Sequence, residues 1–301
     1  MSTDSEADKR NRLEPMFWAC LLYIMALVLL FLYFPSEQQY SGEIIDQGSV
    51  LPQYSLPPIL IYFFGVIAIM GIILFLVPAA KLRLILRVLF AFFYGWGLFI
   101  IMYLILPAHL PLPLCGLLAA AAGLFWFFWP LIWLQNLLLL ITLVSVAVLF
   151  GALISPFTMV YLLLAISVYD IVAVRFGYML WMAKKLSETD TLPAFILPRK
   201  LAQWKLNLRG SSFKAIFEQE SSEREFSLLG GGDMGFPLVF VVSVYFARGL
   251  IGAEVLSAST LAGVIFAYLL QIYWLKGRPL PAIPPISLFT IIGFLIVHYL
   301  V

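Results

Sequence analysis

Charge is what this chain has least of. Of its 301 residues only 11% are Asp, Glu, Lys or Arg while 63% are apolar or aromatic, against roughly 25% and 45–50% in an ordinary soluble domain. The deficit excludes a water-soluble globule and leaves a polytopic membrane protein. A net charge of +2, with no basic run interleaved with aromatics, excludes a nucleic-acid partner. Histidine is almost missing. His109 and His298 are the only two, and the sequence contains no H-E-x-x-H, so a zinc hydrolase and a serine or cysteine nucleophile with a histidine base are both excluded. No metal and no cofactor is expected. Cys20 and Cys115 are the only cysteines; both fall inside apolar runs and read as small buried hydrophobes rather than a disulfide.

Apolar runs are abundant instead. A crossing needs about 20 apolar residues, and such runs lie at roughly 16–34, 57–77, 84–106, 112–129, 134–153, 157–180, 229–250, 256–275 and 283–301. The predicted fold is all-α, with nine transmembrane helices. The fourth and fifth runs form one apolar stretch, which Pro130 divides; Trp129 and Trp133 with Gln135 and Asn136 mark that turn as lying at interface depth. The first run is too long for a cleaved signal and reads as a retained anchor. With the N-terminus cytoplasmic and the C-terminus outside, 17 of the 18 basic residues fall on the cytoplasmic side and only Arg248 lies outside. That bias favours an odd number of crossings. The one sizeable polar segment, about 181–228, reads as a mostly solvated cytoplasmic loop. Within it "TLPAFILP", bracketed by Pro193 and Pro198, disfavours a regular helix and allows an extended segment.

Sixteen acidic residues remain to be placed. Fourteen fall in the N-terminal tail or in loops, and two stand in apolar surroundings: Asp170 in "LLLAISVYDIVAV" and Asp233 in "LLGGGDMGFPLVF". A charged side chain at mid-bilayer costs at least about 2.5–3.5 kcal/mol, which makes each a functional candidate. Arg175 is five residues beyond Asp170, about 140° around a helix, and poorly placed to neutralise it. Both acids belong to the cytoplasmic half of consecutive spans. Two carboxylates opposed at one depth share a proton, and that sharing lets one act as base toward water while the other donates to a carbonyl oxygen. On that scheme Asp233, near a helix start, is expected to be the ionised partner. A proton-coupled transporter or channel could use the same two acids as a relay and is the alternative reading.

Three motifs follow one another along the last spans: "YD" at Tyr169 and Asp170, "GGGD" at Gly230, Gly231, Gly232 and Asp233, and "PAI" at Pro281, Ala282 and Ile283. Together they resemble the presenilin and signal peptide peptidase family of intramembrane aspartyl proteases, over about 157–301. The first five spans match in hydropathy alone. The chain lacks the long insertion of animal presenilins, and so is similar to the compact archaeal members. The resemblance implies that Asp170 and Asp233 are the catalytic pair and that Pro281, Ala282 and Ile283 line the site. Ile283 stands where the family usually has leucine. "ETDTLPAFILP" resembles the stretch that pairs as a strand with unwound substrate, which makes Leu192, Pro193, Ala194 and Phe195 substrate-binding candidates. Tyr169 and the three glycines join them, the glycines offering close approach and positive φ.

The division expected is a region of spans one to five, 1–156, and a catalytic region of spans six to nine, 157–301. The implied partners are transmembrane helices of membrane-protein substrates and the lipid bilayer. Nothing indicates accessory subunits, and oligomerisation is left open. The chain is expected to be a multi-pass integral membrane protein, of the plasma membrane in a prokaryote.

Overall fold

Without water to serve the backbone, apolar runs fold as helices wherever proline and glycine permit. A computed structural model describes residues 3–44, 56–105, 111–209, 226–274 and 281–300. Helix α1 spans Thr3–Ile44, α2 Leu56–Leu76, α3 Ala79–Ile105, α4 Leu112–Phe128, α5 Ile132–Gly151 and α6 Pro156–Arg175. Proline marks the breaks: Pro78 parts α2 from α3, Pro111 precedes α4, and Pro130 parts α4 from α5. At the start of α6 the Ser155 hydroxyl accepts from the Thr158 N–H, while Pro156 occupies the first turn, where its missing donor costs nothing.

The sixth expected span, 157–180, ends early. Helix α6 stops at Arg175, Gly177 turns the chain at φ 73°, and a separate helix α7 runs Tyr178–Ser187. The seventh and eighth, 229–250 and 256–275, are two limbs of one long element, α8 (Gly231–Leu269). They part at Gly249, whose φ of 76° and ψ of −169° belong to a region open essentially to glycine alone. No loop separates the limbs, and Glu254, expected in one, is helical and exposed. A π-helical turn, Leu270–Trp274, follows, and α9 spans Ile283–Leu300. Among the described residues, seven helices are long and apolar enough to cross a bilayer, with α8 counted once; α4, at 17 residues, is shorter. His109 and the charged stretch 211–225 lie outside the described residues.

The polar segment contains a β-ribbon. Strand β1 (Ala194–Pro198) pairs antiparallel with β2 (Phe226–Gly230), with Ala194 opposite Gly230 and Pro198 opposite Phe226. The extended reading of "TLPAFILP" holds, but the segment is buried rather than solvated. Side chains alternate across a strand, so Phe195, Leu197 and Leu229 join the main helical core. Ala194, Ile196 and Phe226 join a second cluster with Leu74, Leu82, Leu86 and Leu186. The ribbon lies between two cores.

Helix α5 is the axis. Its apolar window is 67% buried against 6% for α2, which places α2 at the periphery. Helix α8 packs on α5, α9 and α1, and α9 also packs on α6. The Tyr245 hydroxyl donates to the Phe34 carbonyl at 3.0 Å, and the Thr260 and Thr290 hydroxyls meet at 3.0 Å between α8 and α9.

Candidate active site

Asp170 stands in the penultimate turn of α6 and is 1% exposed. Its Oδ2 accepts from the backbone N–H of Ile283 at 3.2 Å. That donor is the first residue of α9, whose early N–H groups have no partner within the helix. The "PAI" motif thus reaches the "YD" motif through its backbone. Asp170 Oδ1 has no hydrogen-bond partner among the described residues. Arg175 is exposed at the end of α6.

Asp233 is the third residue of α8, partly buried, and its Oδ2 accepts from the Gly230 N–H at 3.1 Å. A carboxylate at this helical position caps its own N-terminus. Helices α6 and α8, which carry Asp170 and Asp233, pack on one another. Each holds a backbone N–H through Oδ2, so the two carboxyl groups are oriented before anything binds.

The three glycines divide in role. Gly231 donates its N–H to the Pro193 carbonyl at 2.9 Å, and a Cβ on it would stand 3.0 Å from that same oxygen. The ribbon can meet the catalytic helix this closely only because the residue is glycine. A Cβ on Gly232 would meet only the Phe236 ring, at 3.2 Å. None of the three takes a positive φ; among the described glycines only Gly177 and Gly249 do. The close approach expected of the motif is present and the expected left-handed backbone is not.

Strand register decides which backbone groups are open. In an antiparallel pair a residue directs its N–H and its C=O to the same side. The Gly231 to Pro193 bond sets that alternation: 193, 195 and 197 face β2, while Leu192, Ala194 and Ile196 face away. On the outward side of β1, Leu192 and Ile196 are held by α5, while Ala194 between them has no backbone partner there among the described residues. Ile196 donates its N–H to Asn136 Oδ1 at 2.9 Å, and its C=O accepts from Asn136 Nδ2 at 2.7 Å. Gln135 Nε2 donates to the Leu192 C=O at 2.8 Å, and Gln135 Oε1 accepts from Trp126 Nε1 at 2.8 Å. Pro198 ends the strand on that same side, where its missing N–H breaks no ladder bond. On β2 the outward residues are Phe226, Leu228 and Gly230. The Gly230 N–H belongs to Asp233, and Leu228 has no backbone partner on its outer side among the described residues.

The sequence reading missed these functions of Gln135 and Asn136, which it took as markers of interface depth. Both are 0% exposed. The available signal was two adjacent amides heading a run of nearly pure hydrocarbon. It also missed β2, whose residues it shared between the loop and the seventh span.

Tyr169 lines an apolar groove of ≈ 790 Å³ with Phe64, Ala68 and Gly71 of α2 and with Tyr178 and Trp181 of α7. The Tyr169 and Phe64 rings meet edge to face, 5.9 Å between centroids. Tyr169 immediately precedes Asp170, so one helix, α6, carries both a wall of the groove and an acid. Of the other candidates, Leu192, Ala194, Phe195 and Ile283 are buried, Pro193 is exposed, and Pro281 and Ala282 are partly buried.

The family model described as signal-peptide peptidase, presenilin aspartyl protease matches residues 19–301. That match reaches well before residue 157, where the visible motif resemblance begins. Two solved structures are similar, each described as a presenilin family intramembrane aspartate protease. The one in space group C222 has a TM-score of 0.62 at 17% identity, covering 95% of this chain and 100% of its own. The one in space group P2 has a TM-score of 0.53 at 19% identity, covering 92% and 97%. No curated protein sequence matches the chain.

Proposed function

The chain belongs to the signal-peptide peptidase, presenilin aspartyl protease family, and from that premise we propose that Asp170 and Asp233 are the pair with which this intramembrane protease cuts its substrates. One observation carries the assignment: two carboxylates on the packed helices α6 and α8 are each held through Oδ2 by a backbone N–H, one from the PAI motif and the other from the GGGD motif itself.

Hydrolysis then proceeds without a covalent enzyme intermediate. One aspartate, ionised, takes a proton from a water whose oxygen attacks the scissile carbonyl carbon. The other, protonated, donates to the carbonyl oxygen as the gem-diol forms. Collapse of the gem-diol breaks the C–N bond, the nitrogen leaves with a proton from the first carboxyl group, and the second recovers its own. The Ile283 and Gly230 N–H groups orient the two carboxylates and leave Oδ1 of each for water and substrate. Tyr169, Pro281 and Ala282 border the pair. The family is one of proteases, and the transporter alternative drawn from the same acids has no support.

A substrate helix hides its peptide bonds and must unwind locally, and its freed backbone then needs partners. The groove beside Tyr169 suits the helical part. The outward N–H and C=O of Leu228 suit the unwound part, which adds as a third strand at β2. Leu192, Pro193, Ala194 and Phe195 act behind it, as the strand that supports β2. Their direct contact with substrate stays part of the proposal at Ala194, since the outer edge of β1 is held by α5 at Leu192 and Ile196.

Nine crossings are the reading best supported by charge. Helices α1 to α6, the two limbs of α8, and α9 supply them, and 17 of 18 basic residues then lie with the cytoplasmic N-terminus. Residues 157–301 hold the catalytic groups and 1–156 the supporting helices. In a prokaryotic cell the membrane is the plasma membrane. The deciding experiment is cleavage of a single-span reporter by the purified chain in liposomes. Cleavage is expected from the wild type and none above background from Asp170→Asn or Asp233→Asn; persistent cutting by either variant overturns the assignment.

A further inference from the structure

We propose that Gln135 and Asn136 are positioning residues: from the N-terminal turn of α5 they hold the outer edge of β1, keep the ribbon assembled before substrate arrives, and confine an incoming strand to β2. The inference rests on the protease reading above and adds to it the parts that set where the substrate backbone lies.

The chemistry of the two side chains fits this task. A primary amide carries one carbonyl and one NH₂ group, so it can replace the peptide unit of a neighbouring strand. Asn136 does so, accepting from the Ile196 N–H and donating to the Ile196 C=O, 60 residues away in sequence. Gln135 does half of it, donating to Leu192 while the Trp126 indole N–H fixes its carbonyl end. Both amides are fully buried, where an unpaired polar group would be costly. Every one of these bonds ends on the backbone of the ribbon or on Trp126. None serves to turn the chain at Pro130.

The consequence runs from α5 to the acids. Among the described residues helix α5 is the most buried of the long apolar helices, so what it grips does not drift. It grips β1, and β1 in turn sets β2 by register and the start of α8 by the Pro193 to Gly231 bond. Asp233 is two residues further on. The outward face of Leu228 is therefore held at a constant offset from the carboxylates, and that offset chooses which substrate bond is cut. With the amides removed, β1 is free to exchange its outer partner, and the ribbon loses its fixed reference.

Amide hydrogen exchange on the full-length wild type in detergent micelles tests the first half directly. The Ile196 N–H is expected to exchange at least tenfold more slowly than the Leu228 N–H. A peptidic hydroxyethylene isostere bound at the site is expected to slow Leu228 and leave Ile196 unchanged. Equal rates at the two positions, or protection by the isostere at 194–198 instead of 226–230, overturns the proposal.

The positioning half is read with Asn136→Leu, which removes both bonds at similar volume, and with Asn136→Gln, which restores an amide. Asn136→Leu is expected to speed exchange across 194–198 at least tenfold with α8 and α9 unchanged. The same variant is expected to lower kcat at least tenfold with KM within threefold, and to spread cleavage over neighbouring peptide bonds of the single-span reporter. Asn136→Gln narrows the product pattern again. Loss of activity with an unaltered product pattern, or no narrowing with Asn136→Gln, assigns the amides a purely structural role and defeats the proposal. Where Asn136→Leu does not fold, the wild-type exchange comparison still decides. A wild-type chain that cuts no reporter defeats the protease reading alone, and the exchange rates then judge the hold on β1 independently.

Discussion

The backbone N–H of Ile283 reaches Asp170 Oδ2 at 3.2 Å, joining residues 113 apart in the chain. The contact explains why a proline-rich, side-chain-poor motif belongs beside an acid: the motif contributes a donor that the start of α9 leaves unpaired. Since the contact is made by backbone, the side chain at 283, which is buried in the core, can change to another apolar residue of similar volume, whereas the N–H cannot be lost.

Ile283→Pro removes that donor at a position where a helix tolerates proline. A hydrogen bond to a charged group contributes about 1.5–3 kcal/mol, so activity on a single-span reporter is expected to fall by about 10- to 150-fold. Ile283→Leu keeps both the donor and the volume, and is expected to cut within about threefold of wild type. Equal losses in the two variants would mean that the side chain, not the N–H, is what matters.

Gly231 and Gly232 look equivalent in sequence and differ in space. A methyl on Gly231 would stand 3.0 Å from the Pro193 carbonyl oxygen, whereas one on Gly232 meets the edge of a movable phenyl ring at 3.2 Å. Gly231→Ala is expected to lower stability by about 1–3 kcal/mol and to abolish cleavage as the ribbon separates from α8. Gly232→Ala is expected to unfold within about 0.5 kcal/mol of wild type. A bulkier Gly232→Val should block cleavage with the melting temperature retained, the sign that substrate needs that clearance. Thermal unfolding and reporter cleavage, measured on the same preparations, separate the three.

The break in α8 gives a cleaner test, because nothing lies within 4 Å of a Cβ on Gly249 or on Gly65. Only backbone conformation distinguishes them. Gly249→Ala forces a side chain into φ 76°, ψ −169° and is expected to cost about 1–3 kcal/mol. Gly65→Ala, inside α2, is expected to be neutral or to stabilise by up to about 1 kcal/mol. Paired denaturation curves in detergent check the difference, and equal shifts would mean that α8 runs unbroken.

What was legible in the sequence follows from which costs are local. Asp170 and Asp233 stood out because a carboxylate in hydrocarbon is expensive whatever surrounds it, and the helices stood out because hydropathy is a property of a run. The extended nature of 191–198 was legible too, since two prolines disfavour the alternative. Its partner was not: Phe226–Gly230 is five residues with no period of its own, and it is a strand only because β1 lies beside it. Gln135 and Asn136 carried the same ambiguity. An amide at the end of an apolar run looks alike whether it meets water or a buried strand 60 residues away, and only the fold distinguishes the two. The end of the seventh span, expected at 250, fell within one residue of the break at Gly249. The loop expected after it is absent, because a single glycine in a non-helical conformation breaks the helix there without needing extra residues.

The groove between α2 and α7 yields the last prediction. Its wall is apolar, it includes Tyr169, and α2 is held against the rest of the fold far more lightly than any other crossing helix among the described residues. If a substrate helix lies there, filling the groove competes with binding and not with chemistry. Ala68→Phe is therefore expected to raise KM for a single-span reporter by about tenfold while kcat stays within about twofold, the pattern of lost uniform binding. A short soluble peptide spanning only the cleaved bonds does not occupy the groove, and its kcat/KM is expected to be unchanged. A fall in kcat for both substrates would instead place Ala68 against the acids and show that α2 closes the catalytic site.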